Sequence, residues 1–160
     1  MEKELKKMTS DAETAVNVAS TAAGGIGAVP IPFADAPLLI ANQVALMASI
    51  AYIFNLDIKR DGLKALVIAA LSSSGAAVIG RMIVTNMIKI VPGLGWLVGG
   101  AISAATAAII TYAIGYSFIE LCKALKRGDI GLEDITGEKG KAMFAELYTK
   151  IYNKKAEEQN

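Results

Sequence analysis

Residues 90–119 carry the sequence IVPGLGWLVGGAISAATAAIITYAIGYSFI, which contains no charged side chain. Every fourth residue from Gly95 to Gly115 is small or weakly polar: Gly95, Gly99, Ser103, Ala107, Thr111 and Gly115. Residues four apart share one face of a helix, and small ones let a second helix come close to backbone contact. We therefore predict a helix-packing face on a helix that protein or lipid must cover on every side.

The whole chain is apolar and almost neutral. Of its 160 residues, 54% are hydrophobic and 19% are charged, and the mean hydropathy is +0.46. These values are more apolar than those of an average soluble domain, so the chain is either unusually buried or partly in a membrane. The 16 basic and 15 acidic residues nearly cancel, so we expect no nucleic-acid partner. The length predicts a single helical domain over residues 1–160.

The residue types needed for common catalytic and metal chemistry are scarce. The sequence has no histidine and one cysteine, Cys122. The usual general base and the ligands of a structural zinc site are therefore missing. We expect Cys122 to be a buried structural thiol in a reducing, intracellular setting. We predict no catalytic residue, no cofactor, no metal site and no enzymatic activity.

Charge is distributed in blocks, which indicate a hydrophobic centre with two water-facing ends. Helix signals along the chain predict an all-α protein. We expect a compact hydrophobic bundle of about six helices, with a central Gly/Ala-rich helix that ends near residue 126 at Arg127-Gly128. Ser10, with Glu13 three residues later, predicts the start of the first helix. Further helices are predicted at about residues 36–55, at 62–89 as one kinked or two shorter helices, and in 131–160 as an amphipathic helix.

Asp35 and Arg81 are isolated opposite charges within apolar sequence. Asp35 could simply cap the helix that follows it. Alternatively it pairs with Arg81, because either charge alone would be costly to bury. Asn42 and Asn86 would complete that buried polar network. In either case we expect a structural role, since no second carboxylate or electrophile is in sight.

Several motifs occur together in one order along the chain: VPIPFADA at 29–36, ANQ at 41–43, GR at 80–81 ahead of Asn86, IVPGLG at 90–95 and GGAISA at 99–104. Over residues 12–127 the chain resembles the bacterial domain of unknown function 697 family, which leaves 128–160 as a polar amphipathic addition. The resemblance implies an accessory helical domain, often fused behind a Ras-like or Era-like GTPase domain and often with predicted membrane segments. This sequence lacks the Gly-x-x-x-x-Gly-Lys-Ser/Thr motif, so a nucleotide role would belong to a partner.

Three functional hypotheses follow. The leading one is a non-enzymatic membrane-associated or membrane-inserting module at the cytoplasmic side of the cell membrane, which self-associates through the small-residue face. By the resemblance it would act beside a GTPase or a membrane-remodelling partner. The alternative is a soluble cytoplasmic homo-oligomeric scaffold whose apolar faces are buried between subunits. An apolar-ligand-binding protein with a cavity between its helices is the weaker third hypothesis.

Overall fold

The computed structural model describes residues 1–25, 31–32, 36–73, 101–102 and 104–158. These residues form five helices: α1 (Glu2–Gly25), α2 (Ala36–Ile53), α3 (Arg60–Ser73), α4 (Ala104–Arg127) and α5 (Glu138–Glu158). Two-residue strands β1 (Ile31–Pro32) and β2 (Ala101–Ile102) pair antiparallel, Ile31 with Ile102 and Pro32 with Ala101. The predicted all-α class is confirmed, and five helices in the described residues are close to the six expected.

Helix α4 lies at the centre of the bundle. Helices α1, α2 and α5 all pack against it, and α3 packs against α2 and α5. Its apolar side chains at helical spacing, among them Ile110, Ile114 and Phe118, are buried. Phe118 meets Phe144 of α5 edge to face, with ring centroids 6.3 Å apart and planes at 88°. The central Gly/Ala-rich helix of the prediction is thus covered by protein on most of its surface.

Helix α1 begins at Glu2, so the predicted start at Ser10 is wrong. Ser10 lies inside the helix, where its carbonyl accepts a hydrogen bond from the Thr14 hydroxyl. Ion pairs spaced by four residues support the early turns, for example Lys7 Nζ to Asp11 Oδ2 at 2.8 Å. An apolar stripe also crosses the expected start and packs on the core: Leu5, Met8, Ala12 and Val16. Packing along one face therefore outweighs the local capping signal at Ser10.

Helix α4 begins at Ala104, later than the small-residue periodicity predicts. A single helix running from Gly95 through Gly115 is wrong at Ala101–Ile102, because these residues are extended and pair with β1. Residues 90–100 and 103 lie outside the described part of the chain. Within the described residues, the four-residue spacing defines a helix face at Ala107, Thr111 and Gly115.

Helices α2 and α4 end in the same way, with one residue in the left-handed region. Asn55 has φ 54° and Gly128 has φ 82°. After α4, Gly128 N donates to Leu125 O and Asp129 N donates to Ala124 O, the paired bonds of a Schellman motif. After α2, Asn55 N and Leu56 N donate to carbonyls at the equivalent positions. The predicted stop at Arg127-Gly128 is confirmed.

Helix α5 is the amphipathic helix that the sequence predicts. Phe144 and Tyr148 are buried, and Met143, Leu147 and Ile151 are partly buried on the same side. Gly140 is also buried, because the chain before α5 folds back on its first turn, where Gly140 N donates to Asp134 O. The close approach there leaves no space for a side chain, since a Cβ at Gly140 would overlap the backbone oxygen of Ile135.

Candidate functional site

The described half of the small-residue face packs inside the chain. Ala107 is fully buried, and Gly115 lies directly against Val16 of α1. A Cβ at Gly115 would overlap Cγ2 of Val16 and lie 2.7 Å from Cγ1 and 3.1 Å from Cβ. The close helix approach expected of this face is therefore present between α1 and α4. Gly95, Gly99 and Ser103 lie outside the described residues.

Thr111, the third described member of this face, joins α4 to α2 through a buried polar contact. Its Oγ1 donates to Ala107 O at 2.9 Å and accepts a hydrogen bond from Gln43 Nε2 at 3.0 Å. Thr111 is 5% exposed and Gln43 is 2% exposed. Within the described part of the chain, Gln43 Oε1 has no hydrogen-bond partner. This contact favours one register of two apolar helices, because without Thr111 the buried Gln43 amide nitrogen would lose its acceptor.

The buried amide of α2 is Gln43, and the expected burial of Asn42 is wrong. Asn42 is exposed, on the side of the helix that also carries Ala45 and Ser49. Gln43 follows the spacing of the buried apolar residues Ile40, Met47 and Ile50, which places it on the inner face. That spacing is the signal that could have found Gln43 from sequence. Asp35, Arg81 and Asn86 lie outside the described residues, so the proposed ion pair stays a prediction.

A cleft of about 310 Å³ opens between α1, α4 and α5. Its lining combines three polar residues of α1, three residues of α4 and one cation of α5: Asn17, Ser20, Thr21, Ala108, Ile109, Tyr112 and Lys155. Sequence reasoning missed this cleft, because its residues come from three separate segments and share no motif.

Tyr112 lines the cleft and contacts Tyr116, four residues further along α4. The Tyr112 and Tyr116 ring centroids are 4.4 Å apart, and Lys155 Nζ lies 4.5 Å from the Tyr112 ring centroid. Tyr116 donates its hydroxyl hydrogen to Asn17 Oδ1 at 3.3 Å, which orients that amide. Burial raises the pKa of Tyr116, so this hydroxyl stays protonated at neutral pH. The Lys155 ammonium therefore lies over the Tyr112 ring, and both residues line the cleft.

Cys122 is fully buried in α4, as expected for a structural thiol. Burial raises its pKa well above the ordinary value, and the opposing effect of Lys126 is smaller. A thiol that stays protonated and covered is a poor nucleophile. In the described residues, no three His, Cys, Asp or Glu side chains are grouped as metal ligands would be.

One described helix segment, Thr106–Arg127, has the length and apolarity to cross a membrane. Its mean hydropathy is 1.4, and 67% of its apolar window is buried inside the bundle. A core helix of a soluble protein has the same properties, so this segment alone is weak evidence for a membrane span.

Fold and contacts define a helical bundle built around one apolar central helix, with a close α1–α4 crossing. The chain belongs to a family described as a domain of unknown function, DUF697, whose model matches residues 2–156. The match includes α5 and the first turns of α1, beyond the residues 12–127 that carry the resemblance. No curated protein and no solved structure shows significant similarity to this chain.

Proposed function

We propose that this chain is a non-enzymatic helical module that associates with a membrane, self-associates and acts beside a GTPase or a membrane-remodelling partner. The observation that carries the proposal is the outer face of α2. Among residues 39–53 of α2, for which the structure describes burial, the exposed residues are all uncharged: Ala41, Asn42, Ala45, Ser49 and Tyr52. Tyr52 is 83% exposed. A surface helix in water normally carries charges on its outer face.

The outer face of α2 contrasts with the exposed faces of the terminal helices. The exposed residues at the start of α1 include Glu2, Lys3, Lys6 and Lys7, and α5 exposes Lys150. Helix α2 has 18 residues and no charge, so it is about 27 Å long, close to the thickness of a bilayer core. An uncharged outer face from Ala41 to Tyr52, on a helix of this length, favours contact with lipid or with another protein surface.

The self-association part of the proposal rests on the same face. Ala41, Ala45 and Ser49 repeat the four-residue spacing of small residues and are exposed. On α4, in contrast, Ala107, Thr111 and Gly115 already pack within the chain. We therefore assign self-association to the outer face of α2. The GTPase or membrane-remodelling partner is carried over from the family resemblance.

A soluble homo-oligomeric scaffold is the second candidate. The burial of most of the α4 segment favours it, because protein alone can account for the apolarity of that helix. In this alternative, the outer face of α2 would be covered by another subunit, with no lipid contact.

Fractionation of the expressed chain, with a carbonate wash and then sizing of the fraction that holds it, separates these candidates. Ala45→Lys places a charge on the outer face of α2, whereas Ala142→Lys makes the same change at an exposed alanine of α5. We expect wild type and Ala142→Lys to stay with washed membranes and Ala45→Lys to be released, because a lysine in the apolar core of a bilayer costs about 2.5–3.5 kcal/mol. Recovery of the wild type as a defined soluble oligomer would support the scaffold instead. A soluble monomer would refute both.

A further inference from the structure

We propose that the cleft between α1, α4 and α5 binds the anionic head of a membrane amphiphile, with Lys155 facing the charge and the Ala108–Ile109 floor facing the first methylene groups. The inference rests on the proposed membrane function for the source of the ligand. Its own evidence is the lining of the cleft, which joins one cation, uncharged polar groups and a small apolar surface.

The polar side of the cleft favours a single negative charge. Lys155 is the one charged residue among the seven described residues that line it, and none of these seven is a carboxylate. Its ammonium rests on the Tyr112 ring, so the cation is placed before a ligand arrives. The Glu158 carboxylate lies 3.5 Å from Lys155 Nζ and is half exposed, so a better-placed anion can displace it.

Neutral hydrogen-bond donors line the same cleft as that cation. The oxygen of the Asn17 amide accepts the Tyr116 hydroxyl, which leaves the Nδ2 hydrogens of that amide as donors at the cleft. Thr21 adds a hydroxyl to the same wall. Phosphate and carboxylate oxygens accept bonds from both kinds of donor, and bonds to a charged acceptor are stronger than neutral ones.

The apolar side of the cleft argues for an amphiphile and against a free ion. Ala108 and Ile109 of α4 lie on the floor, and an inorganic ion would leave these groups unused. A volume near 310 Å³ is at the small end for a ligand pocket, so it suits a head group and the start of a chain.

The test titrates the purified full chain, in a non-ionic detergent, with dihexanoyl phosphatidylglycerol. Dihexanoyl phosphatidylcholine and inorganic phosphate serve as the two comparison probes. Binding is followed by calorimetry and by amide chemical shifts at residues 17–21 and 108–112. We expect saturable binding of the anionic lipid, much weaker binding of the zwitterionic one, and weaker binding of phosphate, which lacks a chain.

Two variants and a matched control locate the site. Lys155→Ala should weaken phosphatidylglycerol binding about tenfold or more, as expected for the loss of one charged hydrogen-bond donor. Lys150→Ala removes another lysine of α5, 71% exposed and paired with Glu146, and should leave binding unchanged. Ala108→Leu fills the floor, so it should weaken lipid binding but not phosphate binding.

Several results would overturn the inference: no saturable binding of phosphatidylglycerol, equal binding of the zwitterionic lipid, or equal losses for Lys155→Ala and Lys150→Ala. Equal affinity of the wild type for inorganic phosphate and for the anionic lipid would reject the amphiphile. The titration needs no bilayer, so its outcome is separate from that of fractionation. A chain that stays in washed membranes but does not distinguish these probes would refute only the cleft assignment.

Discussion

Gly115→Ala tests whether the small-residue face of α4 is a packing face inside the chain. The new Cβ would overlap Cγ2 of Val16 and lie 3.1 Å from Val16 Cβ, an atom that side-chain rotation cannot move away. Helix α1 must therefore shift, and overpacking of this kind costs about 1–3 kcal/mol. Alanine regains about 1 kcal/mol of helix propensity over glycine. The overlapping atoms are the two Val16 methyl groups, and the fixed Val16 Cβ beside them limits how far they can turn away, so we expect a net loss of up to about 2 kcal/mol.

A double-mutant cycle with Val16→Ala makes this expectation specific. Val16→Ala alone removes two buried methyl groups and should cost about 2 kcal/mol, from about 0.8 kcal/mol per group plus a small cavity term. In that background the overlapping Cγ atoms are gone, so Gly115→Ala should be neutral or stabilising. Urea unfolding followed by circular dichroism gives each free energy, with an unchanged m-value as the control. Equal effects of Gly115→Ala in both backgrounds, or stabilisation of the wild type, would refute the reasoning.

Three further predictions concern buried groups. Thr111→Val should cost about 1–3 kcal/mol, because the Gln43 amide loses its acceptor inside the bundle. Adding Gln43→Met should restore most of the lost free energy of unfolding, as measured by urea unfolding. If the loss in the double variant equals the sum of the losses in the two single variants, the pairing is contradicted. Gly140→Ala should cost about 3 kcal/mol in thermal unfolding, because the atom that the new Cβ overlaps is a backbone oxygen, Ile135 O. If Gly140→Ala unfolds at the same midpoint temperature as the wild type, this prediction is contradicted. At pH 9.0, which equals the ordinary pKa of a cysteine thiol, Cys122 should resist maleimide in the folded chain and react when the chain is unfolded in urea. Because only the unfolded thiol ionises there, stability should fall as pH rises above that value, and fast labelling of the folded chain would contradict the burial.

Signals that act within a few residues along the chain predicted much of this fold. The stop at Arg127-Gly128 is correct because glycine adopts the left-handed conformation that closes a Schellman motif. The stripe around Phe144 and Tyr148 is correct because one side of α5 faces the core and the other faces water. Ser10 misled because a capping residue is also tolerated inside a helix when apolar contacts continue past it.

What sequence could not provide is the partner of each surface. The four-residue spacing at Gly115 indicates a close helix approach, but it does not tell whether the partner is α1, a second copy or another protein. The cleft was out of reach for the same reason, since Asn17, Tyr112 and Lys155 meet only after three helices have packed. Asn42 and Gln43 are equally polar neighbours, and only the position of the α2 inner face decides which of them is buried.

The contacts between the helices show that α2, and not α4, provides the stronger evidence for contact with a membrane. Helix α4 contains the one described segment that is both long and apolar enough to cross a membrane, yet most of that segment is already covered by α1, α2 and α5. Its apolarity is therefore accounted for without lipid. Helix α2 is shorter, but its outer face is exposed and uncharged around Ala45. An uncharged helix face that remains uncovered after folding is what indicates an external partner, so a charge at Ala45 tests the membrane proposal more directly than any change in α4.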